Sequence, residues 1–236
     1  MDKNIYEEQK VWGLEGNEQF FMAHRSRPDH LYRSEKFFLP QVLPQVANCL
    51  DVGCACGDFS AIFKTYNPAI DYTGVDIIER FVAIARSRYP GCRFELGDGV
   101  SLDFPDNSFD LVHCSGILHL NSRFRDIVKA MYRVAKKYVL CDFRLTDGPD
   151  MVGEMDVNLL GQTQADTLPY YVINTAQHLE FLKSLEPAPA RIEVKGYAHP
   201  PSKSARLATD KVHMAFFLIT KGSGTQNTTI EMNLNA

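Results

Sequence analysis

The sequence predicts an α/β fold: a mostly parallel sheet of seven strands with helices on both faces and an antiparallel strand pair at its end. Three observations carry this. From residue 46 onward, apolar runs rich in β-branched residues alternate with amphipathic stretches of helical length, the pattern of crossover units feeding a parallel sheet. The apolar runs are nearly continuous, so both sheet faces are covered. The chain has 236 residues with 45% apolar content, enough to bury one full core.

Residues 46–53 (VANCLDVG) read as a first strand and GDFSAIFKTY as the helix that follows it. DYTGVDI is a second strand, and ERFVAIARSRYP a second helix closed by its proline. CRFELGD and FDLVHCSG supply the third and fourth strands. RFRDIVKAMYRVAKK, apolar at i, i+3 and i+4, is a helix, and YVLCDFRL is the fifth strand. The stretch 146–173 is too long for an ordinary connection and reads as an insertion over the sheet edge. After the helix TAQHLEFLKSL come RIEVKGY and VHMAFFLITK, two strands with no helix between them and therefore an antiparallel pair. The expected organisation is a helical cap over 1–45, a main domain over 46–221 that includes the insertion, and a flexible tail over 222–236. The tail has little to bury.

A formal net charge of −4 gives no electrostatic reason for a polyanion partner, so duplex nucleic acid is not expected. No apolar stretch approaches the length of a membrane span, and the first thirty residues are too polar for a signal peptide. A cytoplasmic chain is the expectation. The six cysteines at 49, 54, 56, 92, 114 and 141 include no C-x-x-C pair and no His at ligand spacing, so no metal is expected.

The stretch CLDVGCACGDFS carries the chemistry. It places a tight turn of small residues between a strand and a helix, at the carboxyl edge where open α/β sheets bind ligands. A dinucleotide turn needs Gly at 53, 55 and 58, but the chain has Gly53, Ala55 and Asp58, so a pyrophosphate would meet a carboxylate and NAD fits badly. A ligand with a positive centre and a free amine fits better, because Asp51 and Asp58 attract cations.

LDVGCACG, then VDI, then GDG, in that order and at these intervals, resemble the class I S-adenosylmethionine-dependent methyltransferases over residues 46–145. The resemblance implies a Rossmann-like sheet and S-adenosylmethionine as cofactor. It implies that Asp51, Gly53, Ala55 and Gly57 cradle the methionine part and that Asp76, with Ile77 beside it, takes the ribose hydroxyls. Asp98 then accepts from the adenine amine, Gly99 and Val100 line the ring, and Ser115 and Gly116 face the methionyl end. Two departures stand out: Ala55 occupies a position that is Gly in the family, and the Pro-Gly-Gly turn common before the fifth strand is absent. A carboxylate can accept from both ribose hydroxyls or from an amine, but Asp51 and Asp76 also suit helix caps.

The acceptor side is expected to be a small or sugar-like molecule. No Asn-Pro-Pro-Tyr follows the fourth strand, as it does in base-methylating relatives, and no Asp stands where catechol-type relatives bind a metal. His119 and His199 are the candidate bases, and Arg144, Tyr170, Tyr171 and Asn174 the candidate acceptor contacts, all near strand ends or the insertion. His113, mid-strand, reads as a core histidine. The tract HRSRPDHLYR reads as solvated surface in preference to a substrate contact. A cofactor-binding module without turnover and an NAD-dependent oxidoreductase are the alternatives.

Overall fold

The computed structural model describes residues 3–157, 167–222 and 227–234. Helices α1 (Lys3–Gln9), α2 (Asn17–Ala23) and α3 (Arg33–Val42) precede the sheet. Strands β1 (Asn48–Val52), β2 (Asp71–Asp76), β3 (Arg93–Leu96) and β4 (Phe109–Cys114) follow, with α4 (Asp58–Tyr66) and α5 (Glu79–Arg88) as crossovers. Helix α6 (Phe124–Val134) leads into β5 (Ala135–Thr146), and β6 (Met151–Asp156), β7 (Thr167–Asn174) and α7 (Thr175–Lys183) come next. The chain ends in β8 (Arg191–His199), β9 (Ala205–Arg206), β10 (Val212–Thr220) and β11 (Asn227–Glu231).

The sheet order is β11-β8-β10-β5-β4-β1-β2-β3. Strands β3, β2, β1, β4 and β5 are parallel, and β10 runs antiparallel to both β5 and β8. Strand order therefore reverses at β1 and β4, and the crevice above their carboxyl ends is where such a sheet takes a ligand.

Period-two alternation builds a core on each face. In β10, Ala215, Phe217 and Ile219 pack with α6 and α7 through Ile127, Met131 and Leu182. Met214, Phe216 and Leu218 pack on the other face with Phe38 and Leu39 of α3 and Phe63 of α4. Helix α3 thus belongs to a sheet-covering layer, where the sequence suggests only a cap across the top.

Two expectations are corrected. The tail read as flexible contains β11, which pairs in parallel with β8 from Asn227↔Arg191 to Glu231↔Lys195. Backbone pairing and the packing of Met232 and Leu234 hold it, with little apolar burial in the strand itself: Ile230 is exposed. Helix α6 stops at Val134 because Ala135 already pairs with Phe109, which lengthens β5 at the helix's expense. Within the insertion, β6 and β7 form an antiparallel pair, β7 joins the end of β5 at Leu145↔Ile173, and β9 adds to β6. The centre of the insertion, 158–166, lies outside the described residues. No helix of the described residues is long and apolar enough to cross a membrane.

Candidate active site

The turn after β1 is wound left-handed at three of its five positions: Gly53 (φ +80°), Ala55 (+45°) and Gly57 (+84°). Two backbone N–H groups, of Gly53 and Cys54, donate to the Val75 carbonyl at 2.8 and 3.0 Å and tie the turn to β2. A side chain at 53 would strike Ile117 at 2.7 Å, and one at 57 would strike Phe94 at 2.9 Å, so small residues are dictated by space as well as by φ. Ala55 holds its left-handed conformation at a cost of roughly 1 kcal/mol. Its N–H donates to Asp76 Oδ2 at 2.8 Å, which fixes the turn against the next strand end.

A cavity of about 740 Å³ opens above this turn. Gly53, Ala55, Asp76, Ile77, Asp98, Gly99, Ser115 and Gly116 all line it, as do His119 and Arg144. Asp76 is buried. Burial raises its carboxyl to about 6, although it accepts from the N–H of Ile78 at 2.9 Å and from that of Ala55. It therefore caps the approach to α5 and also faces the cavity, and the two readings of this residue are compatible. Asp98 Oδ1 accepts from the N–H of Val100 and Ser101 at 3.1 and 2.7 Å.

Asp51 does not line the cavity. Its register partners are Gly74 and His113. Its carboxylate accepts from the Tyr72 hydroxyl and pairs with His113 Nδ1 at 2.7 Å, so both oxygens are committed beneath the turn. The residue is a buried brace of β1. Gly57 and Val100 also stand off the cavity: the first packs against Phe94 at the start of α4, and the second turns into the core beside α6.

The loop after β4 is held by two ion pairs whose carboxylates, Glu35 and Asp142, are fully buried. Ser115 Oγ donates to Glu35 Oε1 and accepts from Arg25 Nη2, each at 2.8 Å, while Arg25 and Glu35 pair at 2.5 Å. The Gly116 N–H donates to Asp142 Oδ1 at 2.6 Å, and Asp142 Oδ2 pairs with Arg144 Nη1 at 2.6 Å. Both guanidiniums lie over the Tyr32 ring, Arg25 at 4.0 Å and Arg144 at 5.7 Å. Arg25 sits at φ +58°, and its Nη1 is buried without a hydrogen-bond partner. Glu35 is fully buried, with His113 Nε2 3.9 Å away.

Arg25, Tyr32 and Glu35 were not legible as site residues: the first two lie in the HRSRPDHLYR tract that reads as surface, and Glu35 lies just past its end. The available signal was the cluster of arginines followed by aromatics. Trp12, Phe20 and Phe21, from α2 and the segment before it, complete the apolar wall.

The candidate acceptor residues separate. His119 is buried in the cavity wall, makes no hydrogen bond, and has its Nδ1 sealed without a partner. Burial, with Arg144 nearby, holds its imidazole well below the ordinary value and therefore neutral. Tyr170 does not line the cavity: it stands behind His119, ring to ring at 5.0 Å, because the β7 alternation turns it into a small core. Tyr171 points the other way, onto Phe124. Asn174 caps α7, accepting from the Gln177 N–H at 2.9 Å and donating to the Gly148 carbonyl at 2.8 Å. His199, at the end of β8, contacts the Pro200 carbonyl and the Tyr197 ring and does not line the cavity. Among the described residues no His, Cys, Asp and Glu cluster could hold a metal.

Comparison with known proteins agrees with this geometry. Residues 49–138 match the model of a methyltransferase domain. The uncharacterized methyltransferase YcgJ of Bacillus subtilis is 30% identical over 52% of this chain, and this chain spans 55% of its length. Trans-aconitate 2-methyltransferase of Variovorax paradoxus is 25% identical over 78% of this chain and 74% of its own length. In fold, the chain is similar to a Burkholderia thailandensis 1,6-didemethyltoxoflavin-N1-methyltransferase solved with S-adenosylhomocysteine bound: TM-score 0.62, 16% identity, 93% of this chain and 88% of that one. The left-handed turn after β1 and the acids after the next two strands, which face one cavity, all lie within the residues that match the methyltransferase-domain model.

Proposed function

We propose that this chain transfers the methyl group of S-adenosylmethionine to a small-molecule acceptor by in-line displacement. The observation that carries the reading is the convergence of Asp76, Asp98 and the Arg25–Ser115 corner on the single cavity above the turn. At 740 Å³ the cavity is within the roughly 300–1,000 Å³ of small-molecule sites, with room for a cofactor and a small acceptor. The residues fit the cofactor group by group. Asp76 is placed to accept from the two ribose hydroxyls, and Asp98 from the adenine amine. The unpartnered Nη1 of Arg25 suits the methionine carboxylate. Gly116, at φ +83°, has nothing within 4 Å of where a side chain would begin, which leaves room for the methionyl end.

When bound, S-adenosylmethionine supplies a methyl group on positively charged sulfur. The residues of the chain contribute placement. They would hold the accepting atom close to the methyl and in line with the bond that breaks, which is where most of the acceleration in such a transfer arises. The walls of Trp12, Phe20 and Phe21 exclude water, and His119, held neutral, is a weak base that suits hydrogen bonding to the acceptor better than removal of a proton from it. A dinucleotide is disfavoured, since Asp58 at the start of α4 lines the cavity and its carboxylate, paired to Arg88 at 2.7 Å, stands where a pyrophosphate would sit.

The test compares S-adenosylhomocysteine with 5′-methylthioadenosine, which lacks the amino-acid part. The wild-type protein should bind the first more tightly, and Arg25→Met with Glu35→Gln should remove the advantage, roughly ten- to hundredfold for a charge-assisted contact. An unchanged preference in the double variant removes Arg25 from the carboxylate site.

A further inference from the structure

S-adenosylmethionine has one carboxylate, but two arginines, Arg25 and Arg144, each ion-paired to a buried carboxylate, line the cavity. On the proposed reading Arg25 serves the cofactor, which leaves Arg144 without a ligand. Arg144 is 5% exposed, lines the cavity and uses a single N–H, on Nη1, to reach Asp142. A guanidinium carries five donors in a planar fork, so the Nε and Nη2 side remains to be satisfied, and that side matches a carboxylate. Beside it is His119, 3% exposed, with its Nδ1 buried and without a hydrogen-bond partner. The remaining Arg144 donors thus belong to a side chain that lines the cavity, where a ligand carboxylate can accept from them.

We propose that the methyl acceptor is a small planar organic acid, bound by its carboxylate to Arg144 and stacked along the aromatic wall next to His119. This deepens the methyltransferase reading and rests on it. The charge pattern favours an anion over an amine. The carboxylates at this end are already paired, Asp142 with Arg144 at 2.6 Å and Asp156 with Arg206 at 2.9 Å, so no carboxylate among the cavity-lining residues there is left to receive an ammonium. Lys203 lines the same end and adds a second positive charge. Tyr32, under both guanidiniums, supplies a flat surface between the cofactor corner and this subsite. Arg144 is tied through Asp142 to the Gly116 N–H, so the group that recognises the acid also positions the loop that faces the methyl.

The experiment uses full-length protein saturated with S-adenosylhomocysteine and three ring probes of one shape: benzoate, benzamide and benzylamine. Ligand-observed NMR titration gives their relative affinities. Benzoate should bind at least tenfold more tightly than the other two, about 1.4 kcal/mol. Arg144→Met with Asp142→Asn, which leaves no unpaired buried charge and keeps an oxygen at 142 to accept from the Gly116 N–H, should abolish the preference in samples kept saturated with S-adenosylhomocysteine, and Arg144→Lys should keep part of it. Equal binding of benzoate and benzamide, tighter binding of benzylamine, a preference that survives in the neutral variant, or no binding of any probe to the loaded protein overturns the proposal. Failure of the wild-type protein to bind S-adenosylhomocysteine at all overturns the methyltransferase reading beneath it, a distinct result read in the same samples.

Discussion

Replacing Asp76 by Asn separates the two roles of this carboxylate. Burial raises the group from an ordinary 3.8 to about 6, against the pull of the Ile78 and Ala55 N–H donors. The folded protein therefore keeps a proton that the unfolded chain releases. Stability is unaffected by this group below about pH 4, falls as pH rises through the interval to 6, and above that carries a penalty of about 3 kcal/mol at about 1.4 per unit. Asn removes the penalty but leaves one of the two N–H donors without an acceptor, which costs roughly 1–3 kcal/mol. Net stability at pH 7.5 should thus stay level or rise by up to about 2 kcal/mol. S-adenosylhomocysteine affinity should fall more than tenfold, since a charged acceptor is worth roughly 1.5–3 kcal/mol. Urea denaturation and calorimetry on the same samples read both quantities. An unchanged dissociation constant would show that Asp76 is only a cap and refute its role at the ribose.

His178 is buried among Phe143, Phe217 and Phe181 with neither nitrogen bonded, and burial lowers it from 6.5 to about 3. The unfolded chain takes up its proton first, so stability should fall as pH drops below 6.5, by about 2 kcal/mol at pH 5; His178→Leu should flatten its share of that slope, and an identical slope in the variant would contradict the assignment. Asn174→Ala should lose the cap of α7 and about 1 kcal/mol in denaturation while leaving S-adenosylhomocysteine affinity within twofold; a large loss of affinity would return Asn174 to the site. Ala55→Gly should relieve the left-handed turn and raise stability by up to about 1 kcal/mol with cofactor affinity unchanged, and a destabilised variant would mean that the alanine methyl packs usefully.

Strands β1, β4, β5 and β10 were legible as near-continuous apolar runs buried on both faces, β3 and β8 by alternation, and the amphipathic crossovers α4, α5 and α6 punctuate the first five strands except between β3 and β4. β11 was not, because TTIE buries little and pairs through its backbone at an edge. That Asp76 and Asp98 reach the cavity was legible from their place at strand ends. Asp51 has the same local appearance, but one residue of register turns its side chain below the turn onto Tyr72 and His113, and only the pairing reveals that. Tyr170 and Tyr171 looked like an aromatic lid; strand alternation sends one behind His119 and the other onto Phe124. The Arg25–Glu35 corner is invisible locally, since a charged pair reads as surface until α3 and the loop after β4 enclose it.

The central claim is that this cavity holds S-adenosylmethionine in preference to a dinucleotide. The most direct measurement is calorimetric titration of the wild-type protein with S-adenosylhomocysteine and, separately, with NAD, each paired with a melting curve. One-to-one binding of S-adenosylhomocysteine is expected and, at a hundred times its dissociation constant, about 2.7 kcal/mol of added stability, with no heat and no shift from NAD. Binding of NAD without binding of S-adenosylhomocysteine would contradict it.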